Sequence, residues 1–289
     1  MANKKLKAPV NIPVSKIHPF EENPYKVLDD DEMNNLICSI QEQGVLTPII
    51  IRPIESTDEY EVISGHRRLH ATVKAGMKEV PAFIYAVTRD EAAIMLVDSN
   101  LHREHILPSE RAFAYKLKME AMSRQGYRSD LTSCQVGTKL RTDEIIAENS
   151  TDSARQIQRY IRLTYLIPEL LEFVDEEKIA LTPAVELSYL SDEEQYSLLG
   201  TIEEEDRTPS LSQAVRFKKL SQAGELSDES IETIMQEDKA NQKPMFKVSM
   251  ERLQKVAPKV KDKDFEDFVL KACEHYYRYL QRQRNRDAR

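Results

Sequence analysis

Apolar positions in the first third of the chain switch between two spacings. From Asp31 to Gln43, Met33, Leu36, Ile37 and Ile40 fall at i, i+3, i+4 and i+7, one face of a helix, and Gly44 follows as a C-cap. Pro48-Ile49-Ile50-Ile51-Arg52-Pro53 is a β-branched run that predicts a strand, and Tyr60-Glu61-Val62-Ile63 alternates as a second strand does. His66 to Ala75 reads as a helix closed by Gly76, and Val80 to Ala86 as a third strand. After Thr88 the pattern is almost wholly helical. Thr88-Arg89-Asp90-Glu91 is a capping-box sequence, and a long helix runs from Ser109 to Gln125 behind Pro108. Residues 125–140 read as a loop, short helices continue to Ala223, and Gln242-Lys243-Pro244 marks a boundary. Beyond it lie one strand-like stretch and a helix from Asp264.

Composition narrows the class. The 289 residues are 40% hydrophobic and 31% charged with only 7 Gly, which excludes a disordered or collagen-like chain. No apolar stretch is long enough to span a bilayer, and Met1 to Lys7 lacks the apolar segment of a secretory signal. Cys38, Cys134 and Cys273 are far apart with no C-x-x-C spacing, so a zinc ribbon is excluded and a reducing cytoplasm fits.

The net charge of -8 argues at first against nucleic acid. Its distribution reverses that. Between Leu166 and Ser210 thirteen acids face only Lys178 and Arg207, a local balance of -11 that leaves +3 for the rest. Solvated helix faces are the simplest reading of that segment.

Two clusters suit phosphate. Ser64-Gly65-His66-Arg67-Arg68 stands between a predicted strand and a predicted helix, where unpaired amides and the helix dipole favour an anion. Gly65 allows close approach, and two guanidiniums add forked donors. Asn100, Arg103 and Glu104 fall within one helical turn, and Asn and Glu are oxygen ligands suited to a hydrated Mg²⁺. His102 and His105 lack further ligands at metal spacing and read as surface or packing histidines.

A third cluster suits DNA. One short helix begins at Thr142 and a second at Ser153, after a four-residue turn. Ile157, Ile161 and Tyr165 form an inward stripe. Ser153, Arg155, Gln156, Gln158, Arg159 and Arg162 supply donors for bases and phosphates, with no acid from Ser153 to Leu166. On these residues alone, a helix-turn-helix and an ordinary helical hairpin fit equally.

Three motifs in order resemble the ParB family of partition proteins: Thr47-Pro48-Ile49-Ile50-Ile51-Arg52-Pro53, Gly65-His66-Arg67-Arg68-Leu69-His70-Ala71, and Asn100-Leu101-His102-Arg103-Glu104 with Leu107-Pro108. The resemblance spans about residues 10–114 and reaches about 220 with the paired helices. It implies an α+β N-terminal domain followed by an all-α helix-turn-helix domain and a small, mostly helical C-terminal domain. The expected boundaries are a basic tail 1–9, a nucleotide-binding domain 10–107, a DNA-binding domain 108–223, a linker 224–244 and a C-terminal segment 245–289. That last segment would dimerise or add DNA contacts through Tyr276, Tyr277 and Tyr279 and the arginines among them.

The resemblance further implies a CTP site with Mg²⁺. Arg52, Gly65, His66, Arg67, Arg68, Asn100 and Arg103 would hold the nucleotide, with Asn100 and Glu104 at the metal. It implies a homodimer that closes as a clamp on a palindromic double-stranded DNA site, is nucleoid-associated, and meets a ParA-type ATPase through its Lys4, Lys5 and Lys7 tail. His66 and Ser99 stand where the family has Glu, and Thr47 where it has Gln; Ser99 leaves slow CTP hydrolysis open. A transcription regulator of a mobile element, or a nucleotide-dependent enzyme on the same fold, are the alternatives.

Overall fold

The computed structural model describes residues 8–101, 103, 105–125, 141–148, 150–237 and 265–287, with side chains of the last helix given for 268–281. The basic tail at Lys4, Lys5 and Lys7, the 126–140 segment, His102, Glu104 and the 242–244 boundary lie outside them. The chain falls into two units, 1–237 and 238–289.

The first unit begins with β1 (Val10–Pro13), a single 3-10 turn and β2 (Ile17–His18), then α1 (Asp31–Gln43), β3 (Ile49–Pro53), β4 (Tyr60–Ser64), α2 (His66–Lys74) and β5 (Glu79–Ile84). The five strands form one sheet in the order β1-β5-β3-β4-β2. The β1–β5 and β3–β4 pairs are antiparallel, and β3–β5 and β2–β4 are parallel. One apolar core lies on this sheet, with Ile49, Ile51, Val62, Val80 and Ala82 inaccessible to solvent. Helix α1 starts where Asp30 Oδ1 accepts from the Met33 amide at 2.7 Å, and it packs Met33 and Ile40 on Ala71 of α2.

The other helices of this unit are α3 (Arg89–Asn100), α4 (Pro108–Arg124), α5 (Thr142–Glu148), α6 (Ala154–Leu163), α7 (Pro168–Asp175), α8 (Leu181–Leu187), α9 (Asp192–Glu205), α10 (Leu211–Ala223) and α11 (Asp228–Gln236). The capping box expected at Thr88 is present. A shared core joins Ile63 of β4 to Leu96 and Val97 of α3, Tyr115 of α4, Ile146 of α5 and Ile157 of α6. The sheet and the paired short helices are therefore packed through α3 and α4. A second core gathers Leu163, Leu170, Leu198, Phe217 and Ile231 from the later helices.

Three features differ from the sequence reading. Tyr165, read as part of the inward stripe with Ile157 and Ile161, lies past the end of α6 and is exposed. Residues 224–244, read as a linker, contain α11, whose Ile231, Ile234 and Met235 are buried in that second core. Its short amphipathic run carries three apolar anchors, enough to dock a helix of nine residues. Strands β1 and β2 have four and two residues, too few for alternation to mark them. In the second unit, α12 (Phe265–Asp287) is a single helix with Tyr276, Tyr277 and Tyr279 exposed, and the Tyr276 and Tyr279 rings stacked at 6.3 Å.

Candidate functional site

Strand β4 ends at Ser64, and Gly65 turns the chain into α2 with φ +103° and ψ 27°. A side chain is excluded there twice over. The conformation is left-handed, and a Cβ would lie 2.8 Å from Ile49 Cγ2. No side chain caps α2, so its first amides keep their donors for a ligand.

A cavity of about 270 Å³ opens over this helix start. It brings together Gly65, His66, Arg67 and Arg68 from the strand–helix turn with Ser99 and Asn100 at the end of α3 and Arg103 just beyond it. Asn23, Tyr25, Lys26 and Val27 form a wall that the sequence reading did not name; the Asn23-Pro24 dipeptide is its signal. Asn23 fixes this loop, since its Oδ1 accepts from the Tyr25 amide at 3.3 Å and its Nδ2 donates to the Tyr25 carbonyl at 3.1 Å.

The described lining is cationic and holds no carboxylate. Arg68 Nη1 donates to the carbonyls of Thr47 and Pro48 at 2.7 and 2.8 Å, which ties two of the three sequence motifs together. Arg67 reaches Asp30 at 3.4 Å and Glu32 at 3.2 Å. Arg103 lies 5.8 Å from the Tyr25 ring centroid and, among the described residues, has no acidic partner. Asn100 donates to the Leu96 carbonyl at 2.8 Å, and the Ser99 hydroxyl donates to the same carbonyl at 3.0 Å.

Arg52 is not in this cavity. It is buried on β3, and its Nε donates to Glu61 Oε2 on β4 at 2.7 Å. Glu104 lies outside the described residues. No group of three or more His, Cys, Asp or Glu among the described residues could hold a metal. The side-chain oxygens of the described lining are all neutral, from the amides of Asn23 and Asn100 and the hydroxyls of Tyr25, Ser64 and Ser99. This donor set fits a polyanion; by itself it does not fit a Mg²⁺ ion.

His66 has an electrostatic consequence. The Phe20 amide donates to its Nε2 at 3.4 Å, so that nitrogen carries no proton. Burial, and then the nearby Arg103 charge, pull its pKa from 6.5 to about 4. Between those values the unfolded chain binds the extra proton, so stability rises with pH. The His66 contribution is complete above about pH 6.5 and is lost as pH falls toward 4. Urea melts at pH 7 and pH 5 are expected to show a smaller loss of stability for His66→Gln than for the unaltered chain; an equal loss would contradict this.

The second site is the α5–α6 pair. Residues Ser150 and Asp152, between them, are held by α4. Tyr115 Oη donates to Asp152 Oδ2 at 2.6 Å and lies 3.0 Å from Ser150 Oγ, and Arg111 pairs with Asp152 at 3.3 Å. Burial, then Asp152, pushes the Tyr115 phenol pKa up. Ser153 is the N-cap of α6, accepting from the Gln156 amide at 3.3 Å.

The predicted DNA-contacting residues separate into two groups along α6. Ser153 and Arg155 are exposed at its start, and Arg155 makes no ion pair among the described residues. Gln158 is also exposed, but donates to Asp143 Oδ2 at 3.0 Å. Arg159 donates to Gln156 at 3.2 Å and to Thr182 Oγ1 at 2.6 Å. Arg162 is committed further: it donates to Ser188 Oγ at 3.1 Å and to the Ser188 carbonyl at 2.6 Å. Its guanidinium lies 4.4 and 4.0 Å from the Tyr165 and Tyr189 ring centroids.

Comparison with known proteins defines the class. Residues 2–101 match the ParB N-terminal domain. The chromosome-partitioning protein Spo0J of Thermus thermophilus is 30% identical over 207 residues, covering 72% of this chain and 70% of that one. A nucleoid occlusion protein of Listeria innocua is 31% identical over 196 residues, covering 68% of this chain and 63% of its own. Among solved structures, the C-terminally truncated chromosome-partitioning protein ParB from Caulobacter crescentus complexed to the centromeric parS site has a TM-score of 0.42 at 21% identity, covering 78% of this chain and 98% of that one. The chain belongs to the ParB family. Among the described residues, no helix is long and apolar enough to cross a membrane.

Proposed function

We propose that this chain is a site-specific DNA-binding partition protein that binds a palindromic, centromere-like site as a homodimer and takes CTP in its N-terminal cavity as a DNA clamp. Family membership supports partition, with a ParA-type ATPase as partner. The single observation that carries the nucleotide reading is the cavity: a glycine-started helix, three arginines and no described carboxylate in its lining. When bound, CTP supplies the triphosphate that this charge suits. The first amides of α2 and Arg67 and Arg68 receive phosphate oxygens, Gly65 lets them approach, and Arg103 and Asn100 close the opposite side. The α5–α6 pair is a helix-turn-helix in this reading, and α12 is a dimerisation or accessory DNA-binding element. Residues 10–107 would be the nucleotide-binding part and 108–223 the DNA-binding part. Footprinting across palindromes flanking its own gene is expected to reveal a protected site; protection of none would refute site-specific recognition.

The two ends of α6 respond differently in this reading. Base contacts of a recognition helix come chiefly from its N-terminal residues. Arg155→Ala is expected to weaken specific DNA binding by about 1–3 kcal/mol with little change in stability. Arg162→Ala would instead lower stability, because it removes the group that ties Tyr165 and Tyr189 to Ser188. Fluorescence anisotropy beside thermal melts separates the two; equal DNA loss at unchanged stability for both would contradict the division.

A further inference from the structure

We infer that Lys26 is a phosphate-binding residue of the cavity and that Asp175 at the end of α7 competes with the ligand for it, so that filling the cavity is coupled to the seating of α7 on α4. The inference rests on reading the cavity as a nucleotide site.

Lys26 has a fixed backbone and a movable charge. Its amide donates to Glu110 Oε1 at 2.9 Å, and Glu110 also accepts from the Leu107 amide at 3.3 Å, so residue 26 is fastened to the first turn of α4. Its side chain is 57% exposed and belongs to the cavity wall. The ammonium lies 3.7 Å from Asp175 Oδ2, within ion-pair range but longer than a hydrogen bond. A lysine is a flexible point charge on a four-carbon stem. It can therefore turn from one anion to another while its backbone stays in place.

Asp175 is not a solvated member of the acidic segment. Its side chain is only 8% exposed. It accepts from the Ser109 amide at 2.9 Å and the Ser109 hydroxyl at 2.5 Å, which joins the end of α7 to the start of α4. Lys26 is its cationic neighbour. A triphosphate carries several charges against one carboxylate, so an occupied cavity draws the ammonium away. Asp175 then keeps Ser109 but loses its counter-charge while buried, which weakens the α4–α7 contact. Coupling free energies are reciprocal, so the Asp175 charge must in turn weaken ligand binding.

Isothermal titration of CTP into the full chain tests this in four versions: unaltered, Lys26→Met, Asp175→Asn, and both together. Lys26→Met is expected to weaken binding roughly tenfold, the loss of one charge-assisted phosphate contact. Asp175→Asn is expected to tighten it by about two- to fivefold, the scale of an ion pair whose lysine is solvated. In the Lys26→Met background, Asp175→Asn should change nothing, because the competitor has lost its target. Ser109→Ala loosens the same junction without altering charge, and any tightening it brings should vanish in the Lys26→Met background. Unchanged affinity for Lys26→Met, or tightening by Asp175→Asn or Ser109→Ala without Lys26, would each overturn the inference. Absence of CTP binding to the unaltered chain would instead overturn the nucleotide reading on which it rests.

Discussion

Arg52→Ala is expected to destabilise the N-terminal sheet by about 3–5 kcal/mol, the usual cost of breaking a buried ion pair by removing one partner. Arg52 and Glu61 face each other in the β3–β4 register, with side chains 7% and 9% exposed and a 2.7 Å bond between them. Alanine at 52 leaves the Glu61 carboxylate buried without its cation. Changing both residues to apolar ones of similar size, Arg52→Met with Glu61→Leu, should recover most of the loss, since no charge is then stranded. Urea denaturation measures both effects. Because Arg52 is not part of the cavity lining, CTP affinity of the folded Arg52→Ala protein should be unchanged. Lost CTP affinity at unchanged stability would make Arg52 a ligand contact after all.

Arg52 also illustrates where the sequence stops being legible. It belongs to a motif beside other phosphate-suited arginines, and nothing local distinguishes it from Arg67 or Arg68. The two-residue period puts it on the Ile50 face of β3, opposite the Ile49 and Ile51 side chains of the sheet core, but says nothing of what neutralises it. The partner that neutralises it is on another strand. Features that depend on near neighbours were readable: Gly44 and Gly65 at helix ends, the Thr88 capping box and the start of α6 at Ser153. The Gly65-to-Arg68 and Asn100-to-Arg103 halves of the cavity were readable for the same reason, each lying on a single turn. Its third wall was not, because Asn23 to Val27 lies some forty residues upstream of Gly65 and follows no helical or strand period. The role of Arg162 was hidden similarly, since Ser188 and Tyr189 reach it only through the packing of α8 on α6.

The second large effect is expected at Gly65. Gly65→Ala places an L side chain at φ +103°, a region costing roughly 1–3 kcal/mol for a non-glycine residue. It also sets a Cβ 2.8 Å from Ile49 Cγ2, a fully buried atom group in the sheet core that has little room to yield. The turn must shift, and the first amides of α2 shift with it. A melting temperature lower by several degrees is expected, together with CTP affinity reduced at least about tenfold in protein that is still folded. Stability and affinity both unchanged would show that neither the left-handed turn nor the close approach to Ile49 matters.

The central claim is that the cavity over Gly65 is a nucleotide site. Isothermal titration of CTP, ATP and GTP into the unaltered chain and into Arg103→Ala tests it most directly. Arg103 is exposed and lies over the Tyr25 ring, so its removal leaves the core intact. Saturable binding of CTP at one site per chain, tighter than ATP or GTP and weakened at least about tenfold by Arg103→Ala, is the expected result. No CTP binding by the unaltered chain, or binding indifferent to Arg103, would contradict it.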